Sequence, residues 1–194
     1  MSNQQQENNL EVLINRISYE LVAEKILAEN EINKLLGVLA SNGVYAMWVY
    51  ALDKFGVKFS ESKEKLREQK IFKFLEKIGE IDEKTLRMLD FEKTIEEIVN
   101  MTQNIKRLDD EINQLKNEIK KLEKNNTTKK NIKEKKDEKK EKENKKKEKE
   151  KERIKKLNEY FIKISEDIHN LLFLKQILEK VLTFARYHAK ALGD

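Results

Sequence analysis

Any chemistry in this chain has to come from a short set of side chains. His169 and His188 could serve as acid, base or metal ligand, and the run Asp109-Asp110-Glu111 could attract a cation. Neither has the company such work requires. No serine, cysteine or carboxylate stands beside the histidines in a pattern that reads as a triad or ligand set. Consecutive helical positions aim three carboxylates in different directions, which makes that run a solvated face. Cysteine is absent, so disulfides, zinc-thiolate sites and thiol nucleophiles are excluded. No glycine-rich phosphate loop occurs. The expectation is a protein that is not an enzyme, with no catalytic residue, metal, cofactor or small-molecule substrate.

Basic residues interleaved with aromatics offer a different chemistry, the holding of phosphates and the stacking of bases. On the last helix Lys180, Thr183, Arg186, Tyr187 and Lys190 fall on one side. Leu171, Leu174, Leu178, Val181, Leu182, Ala185, Ala189 and Leu192 fall on the other. Such a patch has the right sign for RNA, and it is equally the pattern of an ordinary solvated helix face. Val44, Met47, Trp48, Ala51 and Phe55 share a helical face, which assigns Trp48 to a core and leaves Tyr50 outside it.

The elements that must position these groups follow from composition. The 194 residues include no proline and 5 glycines, so sharp turns are scarce and sheets with frequent reversals are disfavoured. An all-α fold is expected, a compact helical bundle of few and long helices. Residues 1–9 are polar, lack the charged-then-apolar pattern of a signal peptide, and read as a disordered tail in a cytoplasmic protein. Helices are expected from Leu10 to Asn30, from Glu31 to Lys54 and, after a break at Gly56 and Ser60, from Glu61 to Ile78. Gly79 would end the third of these, and Asp82 would cap a long helix running to Leu122. Within the second, Asn42-Gly43 reads as a left-handed cap or a close-packing kink. The charge-free run Leu35 to Leu52 is just long enough to span a bilayer, but Ser41, Asn42, Gly37 and Gly43 interrupt it. It reads as a core helix, with no membrane partner.

Two heptad seams are legible. Ile105, Leu108, Ile112, Leu115, Ile119 and Leu122 repeat at three and four, as do Ile154, Leu157, Phe161, Ile164, Ile168 and Leu171. They pair on paper as an antiparallel hairpin in which Leu122 faces Ile154, Leu115 faces Phe161 and Ile105 faces Leu171. One helical domain over 10–194 is therefore expected, with a coiled-coil stalk at 102–123/154–174 and a charged tract, 124–153, inserted into it. That tract has fifteen Lys or Arg against eight Asp or Glu, a net of +7 in a chain whose total is +5. With little to bury, it is expected to be a solvated helix or a mobile loop and to add little stability. Its interleaved acids make it a poorer phosphate binder than the last helix.

Two stretches carry a family resemblance. Leu35 to Leu52, with Asn42-Gly43 followed by small and aromatic residues, resembles the first signature of the small subunit of type III-B CRISPR effector (Cmr) complexes. Val181 to Leu192, with its Arg186-Tyr187-His188-Ala189 core, resembles that family's closing signature. The usual proline before Asn-Gly is missing, and the Lys/Glu stalk is longer than a typical member needs. The resemblance implies a non-catalytic all-helical subunit acting in antiviral defence. Copies of it would stack in the minor filament of a ribonucleoprotein, among other subunits and beside a guide RNA–target RNA duplex. It implies packing roles for Asn42 and Gly43 and RNA contact by Arg186 and Lys190, with Lys180, Lys34 and Lys54 as further candidates. The competing expectation is a coiled-coil scaffold or adaptor that binds protein rather than RNA.

Overall fold

The computed structural model describes residues 3–124 and 129–193, with side chains from residue 9 onward. The described residues form seven helices: α1 (Asn3–Ala23), α2 (Glu29–Phe55), α3 (Lys63–Arg67), α4 (Lys70–Lys84), α5 (Phe91–Lys124), α6 (Lys129–Ser165) and α7 (Ile168–Leu192). The all-α expectation holds. Helix α1 starts at Asn3, so the polar segment read as a disordered tail is largely its first turns. Gln4, Gln5, Gln6 and Glu7 have good helix propensity and carry no breaker.

The chain divides into two compact units rather than one domain. The first comprises Met1–Lys58, Glu64–Lys93 and Asn158–Asp194, and the second comprises Phe59–Lys63 and Thr94–Leu157. In the first unit α7 packs against both α1 and α2, and α4 packs against the same two helices. Each contributes an apolar stripe: Ile14, Ile17 and Leu21 from α1, Leu35, Leu39 and Met47 from α2, Phe72, Phe74 and Leu75 from α4, and Leu174, Leu178 and Leu182 from α7, all buried. Trp48 is fully buried, stacks on Phe161 at 4.5 Å and 19°, and donates from Nε1 to Asn158 Oδ1 at 3.0 Å. Helix α2 is long and apolar enough to cross a membrane by length and composition, and a third of its most apolar window is buried inside the protein.

Several boundaries depart from the sequence reading. Helix α1 ends at Ala23 instead of Asn30, through Lys25 at φ 55 and a Leu27 N–H bond to Leu21 O at 2.9 Å. A lysine in the left-handed region sends no turn signal. Asp82 does not begin the long helix. It lies inside α4, fully buried, and its Oδ2 accepts from Met88 N and Leu89 N, both at 2.6 Å. The cap of α5 is Asp90, whose Oδ1 accepts from Lys93 N at 2.9 Å. Gly79 is likewise internal to α4. A Cβ there would make ordinary contact with Leu89 Cδ2 and Phe91 Cβ, both at 3.5 Å, where the chain leading into α5 passes over it. The break read at Gly56 is where α2 ends, with Gly56 as its cap at φ 67 and its N–H on Leu52 O at 3.0 Å.

The second unit corrects the hairpin. The charged tract is not an insertion looped out of the stalk; it is the return helix. Glu118 pairs with Lys135 at 3.1 Å, Glu111 with Lys142 at 2.8 Å, Asp109 with Lys146 at 2.6 Å and Glu97 with Lys156 at 2.5 Å. Ile105, Leu108, Ile112, Leu115 and Ile119 are buried, yet the facing positions on α6 are Ile132, Lys135, Lys139, Lys142, Lys146, Lys149 and Arg153, each half-buried. These also repeat at three and four. Aliphatic lysine stems cover the Ile/Leu seam while their ammonium groups reach the flanks. The register expected on paper loses because Phe161 and Ile164 are committed to the core of the first unit, and because a tract of Lys and Glu without Gly or Pro stays helical. Residues Asn125 to Thr128, read as the loop-like spot, lie outside the described residues.

Candidate nucleic-acid interface

Helix α7 is built to present one polar face. Asp167 caps it, its Oδ1 accepting from His169 N at 2.8 Å and Asn170 N at 3.2 Å, and Gly193 at φ 74 closes it. Of its apolar stripe, Leu174, Leu178, Val181, Leu182, Ala185 and Ala189 are buried as the periodicity predicts, whereas Leu171 is half-buried and Leu192 at the helix end is 57% exposed. Lys180 and Lys190 are exposed, Tyr187 is 62% exposed and Thr183 is half-buried. Arg186 sits at the edge of the stripe. It is half-buried, and its Nε is buried without a hydrogen-bond partner among the described residues. The same holds of Arg67 Nε and Arg153 Nε.

The remaining sequence candidates do not gather there. Lys34 is exposed in the second turn of α2 and Lys54 in its last turn, 20 positions further on and beyond the kink at Gly43. Lys54 is moreover engaged, with Asp53 at 2.9 Å and over the Tyr50 ring at 5.7 Å. These contacts raise its pKa, first through the Asp53 hydrogen bond. Asn42 is exposed and accepts from Ser41 Oγ at 2.8 Å, so it has no packing role. Gly43 kinks α2 at φ 87, ψ −177, and a Cβ there would meet nothing within 4 Å. It is needed for its backbone conformation and not for close approach. Trp48 is the signature residue that does pack.

The groups considered for catalysis are placed apart. His169 is exposed at the start of α7, and His188 lies edge-to-face on Tyr19 at 5.6 Å. Asp109 and Glu111 are spent on Lys146 and Lys142. Among the described residues no group of three or more His, Cys, Asp or Glu side chains could hold a metal ion. A cleft of about 630 Å³ beside α4 is lined by Glu76, Glu80, Glu83, Arg87, Met88 and Phe91, a set without a nucleophile and base in hydrogen-bond reach.

What sequence reasoning passed over is the lysine heptad of α6. Its signal was present in the spacing of Ile132, Lys135, Lys139, Lys142 and Lys146, but lysine is not read as a seam residue. Comparison with protein-family models, with curated proteins and with solved structures finds no match for this chain.

Proposed function

We propose that this chain is a non-catalytic helical subunit of a type III-B CRISPR ribonucleoprotein, stacking in its minor filament and touching target RNA through basic side chains. The observation that carries this reading is the pairing of α2 with α7. The two stretches that resemble the family's signatures, far apart in sequence, lie on helices packed against each other in one unit. The exposed side of α7 then offers Lys180, Tyr187 and Lys190 beside the orphaned Nε of Arg186. The partners on this reading are further copies of the chain, other effector subunits and the guide RNA–target RNA duplex, with a cytoplasmic location. Tagging the protein in its native host and identifying what co-purifies tests it. Recovery of CRISPR RNA with a multi-subunit effector supports it, and recovery of protein partners without RNA overturns it.

A coiled-coil scaffold or adaptor is the second reading, favoured by one observation: residues 94–124 of α5 and 129–157 of α6 are given to a hairpin instead of to the helical bundle. Salt separates the two, since phosphate contacts weaken steeply with ionic strength and apolar helix contacts do not.

A further inference from the structure

The hairpin of the second unit carries a groove whose lining is predominantly cationic. Between α5 and α6 runs a groove of about 540 Å³ lined by Lys116, Lys120, Lys136, Lys139, Lys140 and Glu143, with Ile119 as its apolar floor. Five cations face one carboxylate. Glu143 is already held by Lys139 at 3.3 Å, and Lys136 is held by Glu123 at 2.8 Å. Lys116, Lys120 and Lys140 have no ion pair among the described residues, although carboxylates elsewhere on the hairpin are shared out across it, Glu111 to Lys142 and Glu118 to Lys135. Like charges left facing one another across a groove destabilise a hairpin unless an anion enters.

We propose that this groove holds the phosphodiester backbone of a nucleic-acid duplex. Two negative observations choose that ligand. Among the described residues of the second unit one large apolar side chain is exposed, Ile154 at 52%, so the hairpin has no apolar patch to insert into a lipid surface or to bury in the centre of a protein interface. No aromatic residue occurs between Phe91 and Tyr160, so there is no platform for the unstacked bases of a single strand. What remains is charge in a row: Lys116 and Lys120 four residues apart, a rise of about 6 Å, opposite Lys136 and Lys140 at the same interval. Lysine ammonium groups contact phosphate as point charges and read neither sequence nor the 2′-hydroxyl, so RNA and DNA duplexes are both ligands. This inference rests on the hairpin alone and is independent of the role proposed for α7.

The test titrates the full-length protein with RNA and DNA duplexes of roughly 20 base pairs and mixed sequence, across a range of salt. The parent is expected to bind both. The triple variant Lys116→Gln, Lys120→Gln, Lys140→Gln should bind about tenfold or more weakly and lose about 2 to 3 units from the slope of log affinity against log salt. A matched variant, Lys133→Gln, Lys145→Gln, Lys151→Gln, removes the same charge from exposed lysines of α6 outside the groove and should lose distinctly less. Circular dichroism should show unchanged helicity in both. Equal losses in the two variants would overturn the groove, and absence of duplex binding by the parent would overturn the ligand. So would tighter binding to a single strand, or to phosphatidylserine vesicles, than to the duplexes.

Discussion

Tyr160 Oη donates a 3.0 Å hydrogen bond to Asp82 Oδ1, joining two buried side chains from α6 and α4. With Met88 N and Leu89 N on its other oxygen, the Asp82 carboxylate has a donor on each of its oxygens and organises the turn between α4 and α5. Burial first, then the neighbouring Asp82, pushes the Tyr160 pKa well above its ordinary value of 10.0.

Tyr160→Phe is therefore expected to destabilise the protein by about 1.5 to 3 kcal/mol, the range for a lost hydrogen bond to a charged group. The sign with pH follows from linkage. A phenol whose folded pKa is raised contributes stability that is fully present below the unfolded value and is lost as pH rises through the interval above it. Chemical denaturation at pH 7 and above pH 10 checks both. An alkaline limb that survives unchanged in Tyr160→Phe would assign it to other groups.

Glu20 and Lys77 predict the acid side. Burial opposes the charge on Glu20, but hydrogen bonds and charge from Lys77 at 2.6 Å and Arg16 at 3.2 Å outweigh it and hold its carboxyl below the ordinary value of 4.5. The stability it contributes is present above that value and lost as pH falls below it. Glu20→Gln should cost about 1 kcal/mol at neutral pH, since the site is partly screened, and should flatten the acid limb of the stability profile. Denaturant midpoints between pH 2 and pH 7 read this directly.

Two glycines of α2 predict opposite signs. Gly43→Ala forces a side chain into a region reserved for glycine and should destabilise by about 1 to 3 kcal/mol. Gly37 is exposed, regular in conformation and has open space around its Cα, so Gly37→Ala should stabilise by about 0.5 to 1 kcal/mol. Thermal unfolding of the two variants decides whether the kink, rather than glycine content, is what the helix requires.

The hairpin register predicts crosslinks. Zero-length carbodiimide coupling of dilute monomer should join Asp109 to Lys146 and Glu111 to Lys142, identified by mass spectrometry. Cysteines placed at Leu115 and Phe161 should stay unlinked. The opposite pattern would restore the apolar-to-apolar register.

Removal of residues 129–153 predicts self-association. The tract covers Ile105, Leu108, Ile112, Leu115 and Ile119, so replacing it with a Gly/Ser loop strands five apolar side chains in water. Sedimentation should show dimers or larger species, where a purely solvated tract would leave a monomer of unchanged thermal midpoint.

How much of this was legible in the sequence depends on the range of the interaction involved. Absence of proline and scarcity of glycine excluded sheets, because turn chemistry is local. The apolar stripes of α1, α5 and α7 and the burial of Trp48 followed from periodicity, because a helix has one period and one core-facing side. The polar side of α7 was legible for the same reason, and the orphaned Nε of Arg186 was not, because it depends on which neighbours close over the guanidinium. Tertiary structure decided the rest. A heptad states that a seam exists but not which helix fills it, and Phe161 served two possible seams until stacking on Trp48 took it. Lysine stems then covered the seam left behind, which no hydrophobicity pattern encodes. Lys25 and Arg87 turn the chain at φ 55 without glycine, each bonded back to the helix before it, Lys25 N to Val22 O at 2.8 Å and Arg87 N to Asp82 O at 2.7 Å. Asp82 looked like a helix cap by type and spacing and became a buried acceptor because Tyr160, remote in sequence, lies against it.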